Sequence, residues 1–223
     1  MDVDEVFLRC EEALTAGGKV DLASLGFWKA VAAVKKSHEL IERYADRIGA
    51  IDRAAFERFA LIKVPLHLGT VLATAVTVVG FVLIGIAYGR DEPLDGVLLV
   101  VGFVILLVTT HGLAHLVVGR LHRIRFTHWY VGTIGRPQPG VKVDYASYLR
   151  VAPARRAWMH ASGAIVTKIV PFALLGAAFA MDAPGWSIAI LVAVGVGSIF
   201  TDVVWSTKKS DWKKFSREMK LAR

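Results

Sequence analysis

Four long apolar runs constrain this chain more than any other feature. The first, residues 64–88, contains no Asp, Glu, Lys or Arg. At about 1.5 Å per residue, a helix of this length reaches roughly 37 Å and can cross the hydrocarbon core of a bilayer. The other runs cover residues 97–118, 158–181 and 186–205, in which Lys168 and Asp202 are the charged residues. Because helices of soluble proteins rarely stay uncharged for so long, the runs predict four transmembrane helices.

Basic residues alternate between the segments that separate these runs. Ten Lys or Arg precede the first run, eight lie in the loop of residues 119–157, and seven follow residue 205. The connection at residues 89–96 has one basic residue, and the connection at residues 182–185 has none. Because basic loops stay in the cytoplasm, we expect both termini and the middle loop to be cytoplasmic. The chain is thus predicted to be integral to a bacterial or archaeal cytoplasmic membrane.

The segments outside the runs divide the chain into three regions. Residues 1–63 are predicted to be an amphipathic helical segment that acts as a cytosolic partner-binding hairpin or as an interfacial cap on the membrane core. Its last helix is expected to run from Ile51 toward Lys63 and to lead into the first span. Residues 64–205 form the four-span core, and residues 206–223 a basic amphipathic tail suited to anionic lipid. The apolar face of the N-terminal segment comprises Phe27, Val31, Val34, Ile41, Ala45 and Ile48.

The middle loop contains a pattern typical of β structure. Residues 124–134 are rich in β-branched and aromatic side chains, residues 135–140 are Gly and Pro-rich, and residues 141–145 again suit a strand. The predicted fold is therefore an all-α membrane protein with four transmembrane helices, an amphipathic N-terminal helical segment and a small β-hairpin in the cytoplasmic middle loop.

Two histidines in the second run suggest a metal site. His111 and His115 are four residues apart, so both imidazoles lie on one helical face and can reach one ion, as in the HExxH arrangement. Asp202, at a similar depth in the fourth run, is the expected third ligand, and zinc the expected metal. His67 and His160 lie near the same level, and Lys168 lies near mid-membrane, where it could pair with Asp202. Without a metal, the histidine pair could instead hydrogen-bond across helices.

Residues 97–212 resemble the site-2 protease family of intramembrane zinc metallopeptidases. The resemblance rests on the HxxxH pattern, the basic strand-like loop that follows it, and the Asp late in the last run. It implies that His111, His115 and Asp202 bind zinc and that the substrate is a membrane protein or peptide. The family has a Glu directly after the first His as general base, whereas this chain has Gly112. Asp144 or a carboxylate of the N-terminal helices could replace it, and the sequence does not favour either.

Two functional classes remain open from the sequence. One is a divergent or degenerate zinc metalloendopeptidase of the site-2 protease type, and the other is a non-enzymatic multi-span subunit or regulatory protein without metal. The lipid bilayer is an expected partner in both cases. Nucleic acid is not expected, because membrane topology accounts for the net charge of +8. The single cysteine, Cys10, excludes a disulfide within the chain.

Overall fold

The computed structural model describes residues 2–18, 20–133, 139–204 and 210–223, and most of these residues are helical. The chain divides into two compact units. The sheet unit comprises the described parts of Met1–Leu66, Gly119–Arg156 and Lys220–Arg223, and the four-helix unit those of His67–Val118 and Ala157–Met219. The elements in chain order are α1 (Val3–Thr15), α2 (Phe27–Val34), α3 (His38–Phe59), β1 (Ile62–Pro65), α4 (Leu66–Ala87), α5 (Leu94–Leu121), β2 (Phe126–Val131), β3 (Pro139–Val143), α6 (Tyr145–Arg150), α7 (Pro153–Ala180), α8 (Gly185–Val204) and α9 (Asp211–Leu221).

The four apolar runs form α4, α5, α7 and α8, each of which is long and apolar enough to cross a membrane. Their most apolar windows have mean hydropathies of 1.6 to 2.4, yet no more than 28% of each window is buried within the protein. Large apolar side chains such as Val71, Phe81 and Val104 are exposed. A surface this apolar suits lipid rather than water. The predicted end of the fourth span at Trp205 lies outside the described residues.

Close helix packing fixes the rotation of α5 within the four-helix unit. A Cβ atom at Gly102 would lie 2.8 Å from the carbonyl oxygen of Gly80, so the backbones of α4 and α5 approach closely there. Further along, the hydroxyl of Thr77 hydrogen-bonds that of Thr109 at 2.8 Å. A buried apolar cluster from all four helices lies nearby and comprises Ile84, Leu99, Phe103, Leu106, Leu174, Ala178, Ala183 and Leu191.

The N-terminal helices pack around an aromatic centre in the sheet unit. The ring of Phe7 contacts those of Phe27 and Tyr44, with centroids 5.8 Å and 5.6 Å apart. The predicted apolar face is buried, but it is divided between α2 and α3 rather than lying on one helix. The division has a local cause, because the Ser37 side chain accepts a hydrogen bond from the Leu40 backbone N–H and caps a new helix.

The middle loop forms the predicted hairpin, and a third strand joins it. The strands are antiparallel in the order β1-β2-β3, with Trp129 of β2 opposite both Val64 of β1 and Val141 of β3. Residues 135–138 of the expected turn at residues 135–140 lie outside the described residues, and its last two residues begin β3. The third strand replaces the predicted helix that ran toward Lys63, because α3 ends at Phe59 and β1 follows. Pro65 contributes to the extended conformation of this segment, since a proline disfavours helical conformation in the residue before it, here Val64.

Candidate metal centre

Helices α5 and α9 bring two imidazoles and one carboxylate together in the four-helix unit. His111 and His115 lie one turn apart on α5, and their Nε2 atoms are 3.2 Å from each other. Both face Oδ2 of Asp211 in the first turn of α9, at 3.3 Å from His111 Nε2 and 3.2 Å from His115 Nε2. The three atoms therefore form a nearly equilateral triangle, which we call the ligand triangle.

Helix α7 fixes the orientation of both rings through contacts with their Nδ1 atoms, on the side away from the ligand triangle. His115 Nδ1 lies 2.7 Å from the carbonyl oxygen of Met159, which can only accept, so Nδ1 must donate. His111 Nδ1 lies 3.2 Å from the hydroxyl oxygen of Thr167, whose own hydrogen is donated to the carbonyl of Gly163. The hydroxyl oxygen thus accepts from His111. With a proton on each Nδ1, the Nε2 lone pairs of both neutral rings point into the ligand triangle.

Gly163 provides the space that the two rings occupy. A Cβ atom at this position would lie 2.3 Å from His115 Nε2 and 2.9 Å from His111 Cε1. Real side chains essentially never make contacts this short, so any residue other than glycine would displace the imidazoles. Gly163 therefore has a specific role, because the absence of a side chain there admits the histidine pair.

The third member of the ligand triangle is held in place by its neighbours on α9. Lys214 Nζ bonds Oδ1 of Asp211 at 2.9 Å, which leaves Oδ2 for the imidazoles. Burial raises the pKa of Asp211, but when an imidazole of the pair carries a second proton, its hydrogen bond to Oδ2 and the charge of Lys214 outweigh burial and hold the pKa well below its usual range. Phe215 packs against Trp158 of α7, with centroids 5.6 Å apart, and thereby docks α9.

The ligand triangle is a set of three electron-pair donors directed at one point. Something positive must lie between them, and the choices are a second proton on one imidazole or a metal ion. In tetrahedral zinc sites with bonds of about 2.0–2.1 Å, ligand atoms lie about 3.3 Å apart, close to the sides of this triangle. The His111 side chain is 37% exposed, whereas that of His115 is 12% exposed, so the site is open on the His111 side.

The predicted third ligand, Asp202, lies elsewhere. Its carboxylate contacts Nζ of Lys168, which also donates to the carbonyl of Ala164 at 3.2 Å. Asp202 is therefore not part of the ligand triangle, and Asp211 occupies the place that the sequence prediction gave to it. The sequence prediction does not include Asp211, because this residue lies in the basic tail, whose composition suits a lipid-binding helix. Its only sequence signal is that it is the first acidic residue after the fourth apolar run.

The remaining candidates are distributed over the molecule. His67 is exposed on α4, and the ring of His160 on α7 lies 6.5 Å from that of His115. Asp144 belongs to the sheet unit, where Oδ2 pairs with Arg125 at 3.0 Å. Gly112 is buried in α5 and offers no carboxylate beside His111.

Comparisons of this chain with models of known protein families, with curated proteins and with solved structures give no match. The functional interpretation therefore depends on the chemistry of the described residues. The resemblance to site-2 proteases remains a prediction based on the pattern around His111 and His115.

Proposed function

We propose that this chain is an integral membrane protein that binds a zinc ion through His111, His115 and Asp211. One observation carries the proposal: the Nε2, Nε2 and Oδ2 atoms lie 3.2–3.3 Å apart while both Nδ1 atoms face fixed acceptors. Hydrogen bonding of the far nitrogen to a carbonyl or hydroxyl is the usual way in which a protein orients a metal-binding histidine.

The membrane part of the proposal is supported by the exposed apolar surface of the four-helix unit. Helices of this hydropathy that bury so little of their surface in protein need lipid around them. The alternation of basic and non-basic connections supports cytoplasmic termini. With that orientation, His115 lies near the cytoplasmic end of α5, and the zinc ion would be bound close to the inner leaflet.

The donor set favours zinc over calcium, magnesium and copper(I). Calcium and magnesium prefer an all-oxygen shell, and copper(I) prefers sulfur, whereas two imidazoles and a carboxylate are a common zinc set. Three protein ligands leave a fourth position for water or another molecule, as in catalytic zinc sites. When bound, zinc would act there as a Lewis acid that lowers the pKa of a bound water.

Metal analysis of the purified full chain tests this proposal. We expect about one zinc per chain in mild detergent at pH 7.5, and its loss in His115→Ala and in Asp211→Asn, which keeps the shape of the side chain. Asp202→Asn is the matched control because it removes a carboxylate from the same unit outside the ligand triangle. His67→Ala controls for loss of a histidine.

Two results would contradict the zinc site. Wild-type protein that stays zinc-free after incubation with zinc would show that a proton, not a metal, holds the ligand triangle together. If Asp202→Asn lost zinc and Asp211→Asn retained it, the ligands would be His111, His115 and Asp202, as expected from sequence. Circular dichroism and gel filtration of each variant separate loss of the metal from loss of the fold.

A second candidate function is proteolysis of the site-2 protease type. The open side of the ligand triangle at His111 favours it, because hydrolysis needs room for water and substrate. Gly112 argues against it, since loss of a general base typically costs a factor of about 10² to 10⁴ in rate. Cleavage of single-span peptides in liposomes, measured for wild type and for a Gly112→Glu variant, decides whether the natural chain is a protease. Cleavage by the variant alone would identify the natural chain as a zinc-binding protein without hydrolytic activity.

A further inference from the structure

The ligand triangle joins two helices that are far apart in the chain. His111 and His115 lie on α5, whereas Asp211 lies in the first turn of α9, 96 residues after His115. All three residues belong to the four-helix unit. A zinc ion bound by His111, His115 and Asp211 would therefore connect α9 directly to α5.

Helix α9 depends on attachments to other elements. It contains 11 residues, and isolated helices shorter than about 12–15 residues are only marginally stable in water. Within Asp211–Leu221, all of which the structure describes, Glu218 is the only buried residue. Trp212 is 44% exposed, and Lys213 and Arg217 are exposed as well. The position of α9 therefore depends on a small number of contacts.

An aromatic contact and the ligand triangle attach α9 to the rest of the four-helix unit. The ring of Phe215 contacts that of Trp158 on α7, with centroids 5.6 Å apart. Oδ2 of Asp211 faces the Nε2 atoms of both imidazoles on α5. The bond from Lys214 to Oδ1 of Asp211 lies within α9, so it orients the carboxylate without attaching the helix. The aromatic contact does not involve a metal, whereas the contribution of the ligand triangle depends on one.

The ligand triangle changes from repulsive to attractive when a cation enters it. With both imidazoles neutral and no cation, two nitrogen lone pairs and a carboxylate oxygen face one another at 3.2–3.3 Å. Negative partial charges this close oppose the docking of α9, and the apolar helices around them strengthen the repulsion. Zinc bound by all three atoms replaces this repulsion with three coordinate bonds.

We infer that zinc controls the position of α9: the helix docks on α5 and α7 when zinc is bound and separates from them when zinc is removed. The inference rests on the proposed zinc site. By thermodynamic linkage, zinc stabilises the docked helix, and docking of the helix raises the affinity for zinc by the same factor. Separation of α9 also uncovers the side of the imidazoles that faces Asp211, so loading of the metal closes this side of the site.

Hydrogen exchange of the full chain, measured by mass spectrometry in uncharged detergent at pH 7.5, tests the inference. Protein incubated with zinc is compared with protein stripped by EDTA and dialysed, and the zinc content of both samples is measured. We expect the backbone amides of residues 215–221 to exchange about tenfold more slowly with zinc bound, because their exchange requires separation of the helix. The amides of α1 in the sheet unit are the control and should not respond to zinc.

A Phe215→Ala variant tests the reverse direction of the linkage. It removes the aromatic contact with Trp158 but none of the three ligands, so part of the free energy of zinc binding must be used to dock α9. Zinc affinity, measured by competition with a fluorescent chelator, should fall about fivefold, as expected for one aromatic contact. Arg217→Gln is the matched control, because it changes an exposed side chain of the same helix and should alter the affinity less than about twofold.

These measurements separate failure of this inference from failure of the zinc site. If no zinc binds after incubation with zinc, both the zinc site and the control of α9 are wrong. If zinc binds but residues 215–221 exchange equally with and without it, α9 docks independently of the metal, and this inference alone is overturned. Equal zinc affinities of wild type and Phe215→Ala would also overturn it while leaving the zinc site in place.

Discussion

The two units of this molecule treat charged side chains in opposite ways. In the sheet unit, arginines neutralise carboxylates at the surface: Arg47 bonds both Asp4 and Glu11, and Arg150 bonds Asp46. In the described parts of the four apolar helices, ionisable side chains are few, and those of the ligand triangle converge on one point. Exposed ion pairs are common and contribute little to stability, so these surface pairs of the sheet unit do not indicate a functional site.

The difference between the units shows that a polar cluster indicates a function more strongly when it lies among apolar helices. Desolvation makes every charge in an apolar helical unit costly, so a charge that persists there needs a partner or a function. Lys168 and Asp202 are each other's partners. The ligand triangle has donors of electron pairs on all three sides, and a bound cation would complete it.

Gly163→Ala should abolish zinc binding, with a loss of affinity greater than about 100-fold, because the new methyl group would occupy the place of the imidazoles. Gly176→Ala on the same helix is the control, since a Cβ atom there meets nothing within 4 Å. Zinc content and calorimetry on both variants provide the measurement. Normal zinc affinity in Gly163→Ala would show that the histidines do not bind metal in this arrangement.

Thr167→Val should weaken zinc binding by about 10-fold to 100-fold, the usual cost of losing a hydrogen bond that orients a metal-binding histidine. The change preserves the shape of the side chain and removes the acceptor for His111 Nδ1. Thr167→Ser keeps the hydroxyl and should restore most of the affinity. Competition with a fluorescent zinc chelator measures all three proteins, and equal affinities would remove Thr167 from the site.

Lys168→Met should lower the free energy of unfolding by about 1–2 kcal/mol, because it leaves the carboxylate of Asp202 without its partner. The value lies between those of exposed and buried pairs, since both side chains are roughly a quarter exposed. Zinc content should not change. A Lys168→Met/Asp202→Leu double variant should recover stability in thermal unfolding, and zinc loss in either variant would tie this pair to the ligand triangle.

Arg47→Met should cost less than about 1 kcal/mol, the smallest of these effects, and the cost should depend on pH. The hydrogen bond with Arg47 lowers the pKa of Glu11. A lowered folded-state pKa stabilises the fold at pH values above the unfolded-state pKa, near 4.3, and this contribution is lost as the pH falls through the folded-state pKa. Wild type and variant should therefore differ in unfolding at pH 6 and converge near pH 3, measured with chelator present. A difference that grows in acid would contradict this.

The sequence predicts the four apolar helices well, because the length of an uncharged run directly limits where a helix of this kind can begin and end. The hairpin is also predictable from its β-branched and aromatic residues. The strand β1 is not, since its four residues adjoin a much longer apolar run that dominates the pattern. The break between α2 and α3 depends on one side chain, Ser37, whose capping role becomes visible only in three dimensions.

The site was only partly predictable for a related reason. Helical spacing placed His111 and His115 on one face, and that relation is local. The prediction of Asp202 as the third ligand depends on its depth along α8, but depth does not specify the direction in which Asp202 points around the helix. Asp211 is brought in by the docking of α9 through Phe215 on Trp158, a tertiary contact that no periodic pattern encodes.

The place of Asp211 along the chain has a consequence for biogenesis. All four apolar helices precede it, so the ribosome must complete them before the third ligand exists. Because domains generally form in the order of their synthesis, the helices can associate first, and capture of the proposed metal would come last. A nascent polypeptide that stalled after α8 would carry both histidines yet hold zinc poorly, and metal loading would thus report that translation had passed the final hydrophobic segment.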